Sequence, residues 1–165
     1  KARFEKIGIK NQKLSSPEII VSHAHVGENI DAAHIDLIMG SKKGPIGEAF
    51  LKAKITPTPG HESLIAILEP NLPVKPTTLI IPFVKIKNLY QASVVFGAAQ
   101  NAIAKAVTDA VADGTITNEN IEDIIIIVNL FVHPETTNKH RVYLNNYKAM
   151  RNAIKNALEG NSTPL

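Results

Sequence analysis

The chain has 165 residues, 44% of them hydrophobic and 20% charged, with a formal net charge of +3; its pI is near 9.1. That length and balance fit one globular domain with a substantial core, and no apolar run approaches the roughly 20 residues of a membrane helix. With no cysteine there is no disulfide framework and no thiolate metal site, which predicts a reducing compartment, the cytoplasm. The lysines fall in scattered pairs instead of a block, which predicts a weak preference for anionic ligands; the basic pI leaves nucleic acid open, while the absence of tryptophan for base stacking counts against it.

In chain order, residues 1–17, "KARFEKIGIKNQKLSSP", are polar, basic and aperiodic and predict a flexible arm. "EIIVSHAHV" (18–26) alternates as a strand does, and "GENID" turns it into "AAHIDLIMGS" (32–41), a second strand. In extended chain Ile35, Leu37 and Met39 share one face, a core face, while His34 and Asp36 share the other, roughly 7 Å apart. An imidazole beside a carboxylate suits acid–base work. The competing reading is an edge where both face solvent. His23 and His25 likewise share a face and would hold a metal given a third ligand, but none stands at a locally fixed spacing; no metal is expected.

Past Gly40, Pro45 with Ile46, Ala49, Phe50 and Ala53 predicts a short helix, ended by "TPTPGH". Two further strands are expected at 63–70 and 77–88, either side of the proline-punctuated "NLPVKP". Asn88 then caps a long alanine-rich helix to Asp113, closed by Gly114, and Gly97 inside it suggests close approach of some neighbour. "IIIIVNLFVH" (124–133) reads as a buried central strand with His133 at its end. A last helix spans Glu135 to Leu158 before Gly160, and residues 161–165 form a loose tail.

The order β-β-α-β-β-α-β-α, with no internal repeat and no linker, gives a two-layer α/β (α+β) sandwich over residues 18–160, its sheet mixed and largely antiparallel. Phosphate-binding glycine loops, "HExxH" and "GxSxG" are all absent, which excludes the ordinary nucleotide and hydrolase sites.

The segments "AHIDLIMG" (33–40), "EPNLPVKPTTL" (69–79), "FGAAQNAIAKAVTDAVADG" (96–114), "FVHPE" (131–135) and "NNY" (145–147) closely resemble the formaldehyde-activating enzymes of methylotrophs and methanogens. The likeness runs from about Ile20 to Gly160. It implies a subunit shaped like the second domain of small-subunit ribosomal protein five. It also implies a homopentameric ring with pterin clefts between neighbours, and condensation of formaldehyde with tetrahydromethanopterin to the methylene derivative and water, without a metal. By motif, His34 would be the general acid, with Asp36, Ile65 and Gln100 at the pterin.

This chain departs from the family pattern near the implied cleft. Phe83 and Lys85 stand where lysine and threonine are usual, with Lys85 placed to replace the lost cation if both point to the same strand face. Ala98, Asn101, His61, Glu62 and Pro134 also differ from the pattern. The expected site is therefore His34, Asp36, Ile65, Phe83, Lys85 and Gln100. The alternatives are a paralogue that binds a reduced pterin or formaldehyde adduct without turnover and, further off, an RNA-binding module.

Overall fold

The computed structural model describes residues 19–55 and 62–159; the arm 1–17, the tail 161–165 and His61 lie outside these. Strands β1 (Ile19–Val26) and β2 (Ala33–Ser41) are followed by helix α1 (Pro45–Ile55) and the short strands β3 (Leu64–Ile65), β4 (Ile67–Glu69) and β5 (Leu72–Pro73). Next come β6 (Thr77–Pro82), helix α2 (Leu89–Ser93), a π-helical turn (Val94–Ala99), α3 (Gln100–Ala112), β7 (Ile124–Phe131) and α4 (Lys139–Leu158). Five strands form one sheet in the order β1-β2-β7-β6-β3, parallel only between β6 and β7. The mixed, largely antiparallel sheet with helices packed on it is as expected.

Side-chain alternation divides the sheet. On one face Ile35, Leu37 and Met39 of β2 and Ile126, Val128 and Leu130 of β7 are buried against the alanine-rich α3 and against α4. Each large side chain sealed this way stabilises the fold by about 1.5–3 kcal/mol. The other face is covered only in part. There α1 lays Ile46, with Phe50 and Ala53 beside it, on Leu79, Ile125 and Ile127, so a third layer exists over one end of the sheet. Gly47 permits the entry to α1, since a Cβ there would meet the Lys42 carbonyl oxygen at 1.9 Å.

Helix α4 holds the β1–β2 hairpin in place. Gly27 turns the chain at φ +86, where a Cβ would also strike the Asn145 side chain. Asn145 Nδ2 donates to the Asp31 carbonyl at 2.8 Å, and buried Ser22 donates to the Ala153 carbonyl at 2.6 Å. In the same "NNY" motif Asn146 donates back to the Val142 carbonyl within its own helix at 2.8 Å, and Tyr147 reaches Asp109 of α3 at 2.5 Å.

Four expectations need correction. The single strand at 63–70 is two, because buried Ala66 divides its backbone bonds: its N–H still donates to Thr78 O of β6 at 2.8 Å, while its carbonyl accepts from Val74 N at 3.1 Å. Ile67–Glu69 then turns away to pair with Leu72–Pro73. The strand at 77–88 stops at Pro82, which has no N–H to donate, just before its partner β7 runs out at Phe131. The last helix begins at Lys139, not near Glu135, because the Asn138 side chain caps it by accepting from Arg141 N at 3.1 Å. Gly97 lies in the π-helical turn with nothing inside 4 Å of where its Cβ would be, so no described neighbour requires glycine there for lack of space. Asn88 does cap α2, accepting from Gln91 N at 2.8 Å, and Gly114 does close α3 with φ +82.

Candidate active site

The uncovered part of the sheet carries the polar residues of β2. His34 Nε2 lies 3.2 Å from Asp36 Oδ1, with the two side chains 47% and 52% exposed. A pair that wet contributes no more than about 1 kcal/mol to folding. The two groups have been set side by side on an otherwise apolar strand for little gain in stability, which directs attention to chemistry.

Strand register supplies the neighbours. His25 of β1 pairs directly with His34, and His23 with Asp36; on the other side Phe131 of β7 pairs with His34, and Asn129 with Asp36. The His25 and His34 rings meet edge to face with centroids 5.9 Å apart. Phe83 stands just past β6 and packs edge-on to Phe131 at 6.5 Å, and Phe131 in turn to His133 at 6.3 Å. An open hollow of about 290 Å³ is lined by His25, Ala32, His34, Asp36, Phe83, Asn129 and Phe131. Aromatic walls with a few polar groups at the floor are the usual make-up of a small-molecule site.

Of the expected residues, His34, Asp36 and Phe83 come together here. Ile65 is on the same sheet face but three strands from β2, half-buried under α1 with Leu79 and Ile127. Lys85 lies beyond the strand end and lines a separate small depression with Tyr90, His133 and Thr136, so the shared strand face expected of Phe83 and Lys85 is not formed. Gln100 is on the helix side of the sheet. Its buried carboxamide accepts from Ile67 N at 2.6 Å and donates to Asn101 Oδ1 at 2.8 Å, which pins the break between β3 and β4. His133 closes a turn instead, accepting from Glu135 N through Nδ1 at 3.1 Å.

Sequence reasoning missed His25, Asn129 and Phe131 as neighbours of His34. For Asn129 a signal was present: it is the single polar residue in "IIIIVNLF", on the face that alternation gives to Phe131. For His25 the signal was hairpin register, which needs the exact turn length. His23 and His25 do share a face, and among the described residues no group of three or more His, Asp or Glu side chains is arranged to hold a metal ion.

Comparison with known proteins then places the chain. Residues 21–164 match the family described as formaldehyde-activating enzyme (Fae). A 5,6,7,8-tetrahydromethanopterin hydro-lyase of Methanosarcina barkeri is 46% identical over 144 residues, covering 87% of this chain and 81% of the relative. Proteins named bifunctional enzyme Fae/Hps are similar too: that of Methanosarcina mazei is 45% identical over 140 residues, 85% of this chain, and that of Archaeoglobus fulgidus 43% identical over 142 residues, 86% of this chain. The chain spans only 36% of the length of either of these bifunctional relatives. With a match across nearly all of its folded part, this chain belongs to the formaldehyde-activating enzyme family.

Proposed function

We propose that this protein condenses formaldehyde with tetrahydromethanopterin to give methylene-tetrahydromethanopterin and water, a step of one-carbon metabolism, with His34 as general acid. The observation that carries the reading is the His34–Asp36 pair in an aromatic-walled hollow, in a chain 46% identical to a protein named for the hydro-lyase reaction of that pterin.

A pterin nitrogen adds to the aldehyde carbon to form a carbinolamine, and the hydroxyl must leave before the second nitrogen can close the ring. Hydroxide is a poor leaving group, so a proton has to arrive as the carbon–oxygen bond breaks. With Nε2 turned to Asp36, the other ring nitrogen of His34 is the one that faces the reacting hydroxyl, and Asp36 fixes the plane of the ring. Such proton transfer contributes typically 100 to 10,000 fold, and the rest comes from holding two reactants in contact. Phe83 and Phe131 offer ring faces to a planar head group, while Asp36 and Asn129 offer an acceptor and an amide to its polar edge. Ile65, Lys85 and Gln100 lie apart from this hollow within one chain.

In this reading residues 18–160 act as one domain in the cytoplasm, without a metal, assembled as a ring of five. Support for assembly comes from large apolar side chains left in water, Leu89 at 89% exposure and Leu51 at 59%. Among the described residues no helix is long and apolar enough to cross a membrane. Family membership does not favour a non-catalytic pterin binder or an RNA-binding module.

The test is the rate of methylene-tetrahydromethanopterin formation above the spontaneous rate. Wild type should show a clear excess and His34→Ala should lose most of it; equal rates with and without wild-type protein would sink the proposal.

A further inference from the structure

The role of His34 as acid accounts for one imidazole of the hollow and leaves its neighbour unused. His25 is exposed on β1 and opposes His34 in the hairpin register, with its ring edge to face with that of His34 at 5.9 Å between centroids. Both line the same 290 Å³ space. A lone exposed histidine on a strand would need no account, but two imidazoles aimed into one hollow, one of them bound to a carboxylate, do.

Formaldehyde does not travel through water as the aldehyde. It travels as its hydrate, methanediol, which has no electrophilic carbonyl for an amine to attack. Any site that consumes the aldehyde faster than the hydrate sheds water would wait on that step. Dehydration requires a base on one hydroxyl and an acid on the other at the same time, and imidazole is the side chain that fills either role near neutral pH.

We propose that His25 and His34 together dehydrate methanediol in this hollow, so that the hydrate is the form of the one-carbon substrate the site takes up. The identity of the substrate rests on the function proposed above; the geometry of the pair does not. Asp36 holds one nitrogen of His34 and leaves the other facing the hollow, so in this proposal His34 is the proton donor and His25, with no such carboxylate contact, the acceptor. In the step, His25 removes the proton of one hydroxyl and that oxygen's electron pair forms the C=O bond. The other carbon–oxygen bond breaks, and the departing oxygen takes the His34 proton and leaves as water. One proton has passed from His34 to His25, and exchange with solvent through the two exposed rings restores the starting state. The aldehyde is released beside Phe83 and Phe131, where an amine can meet it before it hydrates again. Among the described residues, His23 is a further ionisable group on this face: it lies opposite Asp36 in the hairpin register, two residues from His25.

The experiment needs no pterin. In buffer containing formaldehyde and excess semicarbazide, trapping is limited by dehydration, so the semicarbazone absorbance reports that rate directly. Wild-type full chain should raise the rate in proportion to protein, and His25→Leu and His34→Ala should each lower the excess roughly tenfold or more. His25→Gln, which keeps hydrogen bonding but takes up no proton, should be as low as His25→Leu, with circular dichroism unchanged in all three. An excess no greater than an equal concentration of free imidazole gives, or one that survives in His25→Gln, overturns the proposal. Because no pterin is present, loss of the condensation activity with trapping intact would count against the function proposed above and not against the paired imidazoles.

Discussion

His34 and Asp36 sit one pleat apart on β2 with Nε2 and Oδ1 at 3.2 Å, and both side chains are about half in water. Asp36 therefore orients the ring more than it stabilises the chain. Asp36→Asn, which keeps the shape and removes the charge, should lower kcat and raise KM while leaving Tm close to wild type, and the loss in kcat should be smaller than that of His34→Ala. Steady-state kinetics beside a thermal melt check both parts; a fall in Tm with kcat intact would reverse the assignment.

Phe83 is a largely exposed wall of the hollow, 65% accessible and packed against Phe131 edge to face. Truncation to alanine should cost the folded state little, since surface changes usually stay within about 0.5 kcal/mol, but should raise KM for the pterin with kcat retained, as expected when uniform binding is lost. Phe83→Lys should likewise move KM while leaving kcat close to wild type.

Gln100 is buried and spends both ends of its carboxamide inside the chain. Replacing it with leucine leaves the Ile67 N–H without its partner and should lower stability by about 1–3 kcal/mol, read by urea unfolding. If Gln100→Leu melts normally and instead loses substrate affinity, its role is at a site and not in the strand break.

Asp113 accepts from the Thr115 hydroxyl at 2.5 Å and the Thr115 amide at 2.9 Å, and it pairs with Arg151 of α4. The Thr115 bonds first and then Arg151 pull its carboxyl from the ordinary 3.8 down to about 2. A carboxyl lowered on folding adds stability that is complete above the unfolded value and disappears as pH falls through the folded one. Asp109, held low by Lys105 and Tyr147, acts in the same direction. Asp113→Asn should thus melt below wild type at pH 7, and the gap should close between pH 3.8 and about 2. The gap should be modest, since the carboxylate is 42% exposed and screened by salt; a gap that widened on acidification would show the sign to be wrong.

The residues explain why some of this was legible beforehand. Alternation in "AAHIDLIMGS" separated His34 and Asp36 from Ile35, Leu37 and Met39 correctly, because one buried face enforces a period of two. Helix ends at Asn88 and Gly114 were legible since a capping side chain and a positive φ are local chemistry. The break at Ala66 was not, because the bond that fixes it comes from Gln100, 33 residues away from Ile67. The end of β6 was only half readable in "TTLIIPFVKIKN": Pro82 is a local cue, but the strand also stops because β7, its parallel partner, runs out at Phe131. The neighbours of His34 were hidden for the same reason. Cross-strand company is a property of register, and register is decided by a turn that α4 clamps through Asn145.

One consequence of the sheet having a sealed side and a bare side concerns how such a protein changes over time. Along β2 the odd-numbered residues 33–39 belong to the interior, while His34 and Asp36 face outward; inheritance thus works on two interleaved texts. Mutations that retune what the bare side recognises leave the folding text unedited, so chemistry on this scaffold is free to drift without the lineage passing through collapsed intermediates.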